Sequence, residues 1–285
     1  MAMNYDHLMQ LKTEGQRFSY SDRETMLYAI GIGMGRDPLD ENELPYVFEQ
    51  GALKTVPTLA TVLTRLSLLK DSGVDYSKVV HGEQRLKLHR TLPPQGELLA
   101  SSRVTEAYDK GAGKGAVIYT ETVARSAADN QPMFTLYSTT FARGDGGFGG
   151  PAGSGPAPHA LPDRKPDGSI TLETRKDQAL LYRLNGDRNP LHADPALAKR
   201  VGFPVPILHG LCTYGTACRA LLQRVARYDH TRITGFDVRF SAPVYPGESI
   251  ATDYWVDGNV VSFRCRIPER GDVVVINNGR CELSS

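Results

Sequence analysis

The sequence predicts an α+β protein of two tandem units, each a helix wrapped by an antiparallel sheet. Three observations predict it. Strand-like runs follow helices in blocks instead of alternating with them. A Gly/Pro-rich seam lies close to the middle of the 285 residues. Three short segments recur in the same order at offsets of about 150 residues, which suggests a duplicated unit.

The first unit is expected over residues 1–143. Ser21-x-x-Glu24 is a capping box that opens a helix running through Met34. A long loop follows, then a longer helix opened by Val56-Pro-Thr-Leu59 and extending to Lys70. Strands are predicted at 84–88, 97–104, 116–123 and 134–141 from their apolar and β-branched runs. The seam, residues 144–166, begins with seven Gly and three Pro among its first fifteen residues. Such a stretch buries little and is expected to order poorly. It reads as a linker and not as a phosphate loop, because Pro162 and Pro166 follow where a helix would have to start.

The second unit, 167–285, repeats the first. Lys176–Leu184 answers Arg23–Ile30, Val205-Pro-Ile-Leu208 answers Val56-Pro-Thr-Leu59, and Val244-Tyr-Pro-Gly-Glu248 answers Leu92-Pro-Pro-Gln-Gly-Glu97. Leu208, Leu211, Cys212, Gly215, Cys218, Leu222 and Val225 share one helical face. Gly210, Gly215 and Ala217 make that helix slender enough to approach a sheet closely. Strands are predicted at 235–240, 249–255, 260–265 and 273–276. One helix wrapped by one sheet is the hot-dog arrangement, and two copies make a double hot dog.

Composition narrows the function. Lys+Arg number 33 against Asp+Glu 32, and without a basic run there is no electrostatic footprint for nucleic acid. No apolar stretch approaches the roughly 20 residues of a membrane span, and the first residues lack the order of a secretory signal. Four cysteines without a CxxC pair argue against a disulfide framework or zinc site and for a reducing, cytoplasmic compartment.

Two segments carry chemistry. In Asn185-Gly-Asp-Arg-Asn-Pro-Leu-His192, a turn at Pro190 can bring Asp187 and His192 to one rim. That pair reads either as an acid/base couple or as an Asx-turn with an exposed histidine. In Phe203-Pro-Val-Pro-Ile-Leu-His-Gly-Leu-Cys212, Gly210 falls in the first turn of the apolar helix. Its free N–H can meet a carbonyl oxygen, or the glycine is small for packing alone. Together the groups suffice for water addition across a double bond conjugated to a thioester, with no metal or cofactor. The first unit lacks them. Gly33 stands where Asp187 does, and the glycines of Gly31-Ile-Gly-Met-Gly35 are expected to open room for a long acyl tail.

Leu181-Tyr-Arg-Leu-Asn-Gly-Asp-Arg-Asn-Pro-Leu-His192 with Pro206-Ile-Leu-His-Gly-Leu-Cys212 resembles the signature of the (R)-specific 2-enoyl-CoA hydratases, the MaoC-like family. The hydratase domain of peroxisomal multifunctional enzymes is the most similar branch. The resemblance continues through His81-Gly-Glu-Gln84, Asp109-Lys-Gly111, Gly146-Gly-Phe-Gly-Gly150 and Pro243-Val-Tyr-Pro-Gly247 and spans nearly the whole chain. It implies a double hot-dog fold and reversible syn hydration of trans-2-enoyl-CoA to (3R)-3-hydroxyacyl-CoA. By motif, Asp187 and His192 would hold the water and Gly210 would bind the thioester oxygen. His81, Gly82, Lys110, Arg188, Asn189, Pro190, Leu191 and Phe240 would contact the CoA thioester. Without fused domains or an SKL-type tail, a free-standing bacterial cytosolic enzyme is implied, and a homodimer is expected by analogy with sheet-to-sheet pairing. The rivals are a hot-dog thioesterase and a non-catalytic acyl-CoA-binding subunit. The first commonly needs a carboxylate on the central helix, and neither 208–225 nor 59–70 contains one.

Overall fold

A computed structural model describes residues 3–64, 66, 68–153 and 155–284. Arg65 and Ser67 of the expected first-unit helix, Ser154 of the expected linker and Ser285 of the C-terminal tail therefore lie outside the described residues. The strands are β1 (Lys12–Tyr20), β2 (Val79–Leu88), β3 (Gly96–Asp109), β4 (Ala116–Ser126), β5 (Pro132–Ala142), β6 (Gly168–Glu173), β7 (Ile233–Phe240), β8 (Ser249–Asp257), β9 (Val260–Ile267) and β10 (Val273–Leu283). The helices are α1 (Tyr5–Gln10), α2 (Asp22–Gly31), α3 (Leu44–Val47), α4 (Ala60–Leu63), α5 (Gln178–Tyr182), α6 (Pro195–Arg200) and α7 (Gly210–Arg224).

All ten strands form one sheet in the order β1-β3-β4-β5-β2-β7-β10-β9-β8-β6, and every pairing is antiparallel. Read outward from the β2–β7 seam, the halves run β2-β5-β4-β3-β1 and β7-β10-β9-β8-β6. The second is the first repeated in chain order, so the duplication seen in sequence becomes a pseudo-two-fold. The axis crosses the seam where Arg85 pairs with Asp237. The repeat-related Tyr28 and Tyr182 meet edge-on beside it, with ring centroids 6.1 Å apart.

α7 fills the second half. Every residue from Cys212 through Leu222 is buried, as expected of a helix enclosed on all sides. Its small residues serve two neighbours. A Cβ on Gly210 would stand 3.3 Å from the Phe240 ring on β7, whereas one on Gly215 would stand 2.5 Å from Ile32 Cγ2 and 2.8 Å from Tyr28 Oη. Gly215 therefore permits the close approach of the first unit. Opposite α7, the first unit's helix is reduced to the 3₁₀ turn Pro57–Leu59 and α4, ending at Leu63 instead of continuing to Lys70.

α2 begins as expected, with Glu24 accepting from Ser21 N at 2.9 Å and Ser21 Oγ at 2.6 Å. It stops at Gly31, short of Met34, because Gly33 and Gly35 take left-handed φ of +92° and +72°. The loop beyond is clamped by a buried ion pair: Arg219 of α7 grips Glu43 at 2.6 and 3.0 Å, and Glu43 also accepts from Gly35 N. The described residues of the seam segment form neither helix nor strand, yet they are tethered at several points. Asp109 accepts from the amides of Gly147 and Gly149, Trp255 Nε1 donates to the Arg164 carbonyl, and Asn278 donates to the His159 carbonyl.

Candidate active site

The bend between α5 and α6 sets the site. α5 ends in a 3₁₀ turn, Arg183–Asn185, and Gly186 takes φ +106°, which turns the chain outward. Asp187 Oδ1 then accepts from Asn189 N at 3.2 Å, and Asn189 Oδ1 accepts from Leu191 N at 3.0 Å. Two successive Asx-turns, with Pro190 fixing φ between them, carry the chain from a carboxylate to an imidazole in five residues. The Asx-turn reading is thus correct for Asp187, but the exposed-histidine half of it is not. His192 is 8% exposed, while Arg188, Asn189 and Pro190 face solvent.

His192 Nδ1 lies 2.9 Å from the carbonyl oxygen of Ile207. A carbonyl only accepts, so Nδ1 carries the proton of the neutral ring and Nε2 is left with its lone pair. Burial is the main influence on this imidazole and moves its pKa below the ordinary value, against opposing pulls from the Ile207 carbonyl and the Asp187 charge.

Gly210 is the first residue of α7, one of the positions whose N–H an α-helix cannot use internally. It is joined to the bend from two sides. On one, Phe240 covers its α-carbon and packs its ring 4.9 Å from His81. Burial drives the His81 pKa down to about 4, partly countered by the Glu83 backbone and Asp187, and its Nε2 is sealed from solvent with no hydrogen-bond partner among the described residues. On the other, the ring of the preceding residue, His209, stacks on His192 at 3.6 Å and 23°. His209 Nε2 reaches the Asp187 carbonyl at 3.0 Å. His209 is a site residue to which the sequence alone assigns no role. Its signal was its place directly before Gly210 in the segment already singled out.

Asp187, His192, Gly210, His81 and Phe240 are therefore brought together, with Arg188, Asn189, Pro190 and Leu191 on the solvent side of the bend. Gly82 sits in a β-bulge, where the β2–β5 register slips between His81 and Glu83, and a Cβ there would stand 3.2 Å from the Thr139 carbonyl. Lys110 is not part of this cluster. It follows β3, and its Nζ is held by the Gly153 carbonyl. The register chain Asp109–Ala116–Ala142–Val79 nevertheless puts it at the same end of the sheet as His81. Three strand spacings of about 4.8 Å make the separation roughly 14 Å. The glycines of 31–35 open no room: Cβ atoms on Gly31, Gly33 and Gly35 would meet Asn185, Arg219 and Val47 at 2.8–3.1 Å. One polar atom each from Asp187, His192 and His209 lies within 4.8 Å of the others.

Comparison with known proteins gives the arrangement a context. Residues 158–278 match the MaoC like domain, and residues 18–144 match the MFE-2 hydratase 2 N-terminal domain. Enoyl-CoA hydratase ChsH3 of Mycobacterium tuberculosis is 38% identical over 287 residues, covering 97% of this chain and 98% of the relative. A crystal structure of a MaoC-like dehydratase from Phytophthora capsici superposes with a TM-score of 0.87 at 32% identity, covering 99% of this chain and 98% of that one. A Mycobacterium tuberculosis protein described as a double hotdog fold superposes at 0.56 and 14% identity, over 99% and 98% of the two chains, a likeness of fold alone.

Proposed function

The chain belongs to the MaoC-like enoyl-CoA hydratase family, and from that premise we propose the chemistry of its site. The protein is a hydro-lyase that adds water reversibly and syn to trans-2-enoyl-CoA, giving (3R)-3-hydroxyacyl-CoA, in fatty-acid or steroid side-chain β-oxidation. The observation that carries the reading is the single cluster of a carboxylate, a bare imidazole nitrogen and a helix-terminal glycine amide: Asp187, His192 and Gly210.

Asp187 and His192 hold the water between them. As its oxygen bonds to C3, the π electrons move through C2 toward the thioester oxygen, where the Gly210 N–H, backed by the dipole of α7, meets the developing charge. The pair accepts one proton from water and returns one to C2. Both groups come from one bend and act on one face of the substrate, which makes the addition syn. Their protons belong to the pair and not to either residue alone. The reading requires no cofactor beyond the CoA of the substrate.

His81, Gly82, Phe240 and residues 188–191 line the approach of the thioester, and the unpartnered His81 Nε2 supports a polar contact there. Lys110, at the same end of the sheet, suits the distant phosphates of CoA. The first unit is the non-catalytic half that receives the acyl tail. Its shortened α4, in place of a helix the length of α7, supports that role. We place the protein in the cytoplasm, where its four buried, unpaired cysteines remain thiols. It acts as a homodimer through the outer sheet face, where Arg85, Lys87, Asp237 and Arg280 line a groove along the β2–β7 seam. Analytical ultracentrifugation reads that assembly directly, and a monomer at micromolar concentration contradicts it.

A rate panel over trans-2-enoyl-CoA esters of increasing bulk, with chiral analysis of product and an assay for free CoA, tests the reaction. Loss of the conjugated alkene with (3R) product and no thiol release is expected. Thiol release without hydration would instead assign a thioesterase, and neither signal a binding subunit.

A further inference from the structure

Resting on that reading of the site, we infer that His209 is a positioning residue that locks the acid/base pair to the oxyanion donor. Three contacts converge on it. Its Nε2–H donates to the Asp187 carbonyl across 22 residues of chain. Its ring stacks on His192 at 3.6 Å. Its own carbonyl accepts from Cys212 N at 3.0 Å and Thr213 N at 3.1 Å, the first bonds of α7, so it is fixed at the helix end that carries Gly210. One buried residue thus touches both members of the pair, Asp187 at its backbone carbonyl and His192 at its ring, and precedes the third group in the chain.

The ring also packs against Tyr182 of α5, with centroids 5.0 Å apart and planes tilted by 52°, so the imidazole contacts both α5 and the bend. Besides the His192 Nδ1 bond to the Ile207 carbonyl, His209 is what ties the bend to the start of α7: Arg188, Asn189 and Pro190 are exposed, and the Asx-turns within the bend set its shape. The duplicated unit supports the assignment. Where the second unit has His209-Gly210 after Val205-Pro-Ile-Leu208, the first has Ala60-Thr61 after Val56-Pro-Thr-Leu59, and Gly33 stands for Asp187. The half without the pair also lacks the residue that would hold it.

Misplacing a reacting group by about 1 Å can cost about 10²-fold in rate without weakening binding in proportion. Three variants separate positioning from folding. His209→Ala removes both contacts, His209→Gln keeps a donor at the reach of Nε2 without the ring, and His209→Phe keeps the stacked ring without the donor. For His209→Ala, kcat on a trans-2-enoyl-CoA is expected to fall about 10²-fold with KM changed less than threefold. His209→Gln and His209→Phe should each recover at least fivefold of that loss, whatever their melting temperatures. A folded His209→Ala with kcat within twofold of wild type overturns the inference. So does a kcat that follows melting temperature across the three variants regardless of the contact kept. Wild-type protein without hydratase activity would overturn the functional reading instead, which keeps the two failures distinct.

Discussion

His192 can act as a base only through Nε2, because the Ile207 carbonyl holds the proton on Nδ1. Burial lowers its pKa, so the neutral ring persists to more acid pH than for a free histidine. The acidic limb of kcat/KM should therefore have an apparent pKa below 6.5, with activity lost as pH falls through it; a limb centred above 7 contradicts the assignment. Gly210 permits a separate test, since proline is well tolerated as the first residue of a helix. Gly210→Ala and Gly210→Pro place the same Cβ against Phe240, but only the second deletes the N–H. If the amide binds the thioester oxygen, kcat for the proline variant should lie about 10²-fold below that of the alanine variant; equal rates would remove Gly210 from the mechanism. The bend that carries Asp187 and His192 and the helix start at Gly210 were legible in the sequence because both are local signals. The role of His209 was not, since its stacking and its bond to Asp187 exist only after α7 has docked on the bend.

At the level of elements, α7 is held by what crosses between the units. Glu43, 2% exposed, meets the buried Arg219 in a bidentate pair, and removing one partner leaves the other charge uncompensated. Glu43→Ala is predicted to destabilise the fold by about 3–5 kcal/mol, read by urea denaturation; a loss below 1 kcal/mol would show that the pair does not anchor the loop. The strands that sequence reading found are those with strong apolar runs. It missed β1 and β6, the two edge strands. Over Lys12–Gly15 and at Gly168 these carry polar residues and glycine, and they pair on one side only. It also extended α4 to Lys70, because an apolar run of that length is helical by periodicity alone. α4 ends at Leu63, where Thr64 leaves the helical conformation with φ −122° and ψ 77°.

The whole molecule is a duplicated half-sheet joined at β2–β7, with one core running through both halves and Tyr28 and Tyr182 meeting beside the axis. The duplication was readable from three short repeats in register; the continuous ten-stranded sheet was not, because strand pairing across the seam leaves no mark in spacing. Divergence then divided the labour. The second half carries the carboxylate, imidazole and glycine amide, and the first carries a shortened helix in place of α7. If the 187–192 bend performs the water addition, the kcat of Asp187→Asn on a trans-2-enoyl-CoA must fall. A folded variant with kcat reduced about 10²–10⁴-fold is predicted; one that retains more than a tenth of wild-type turnover contradicts it.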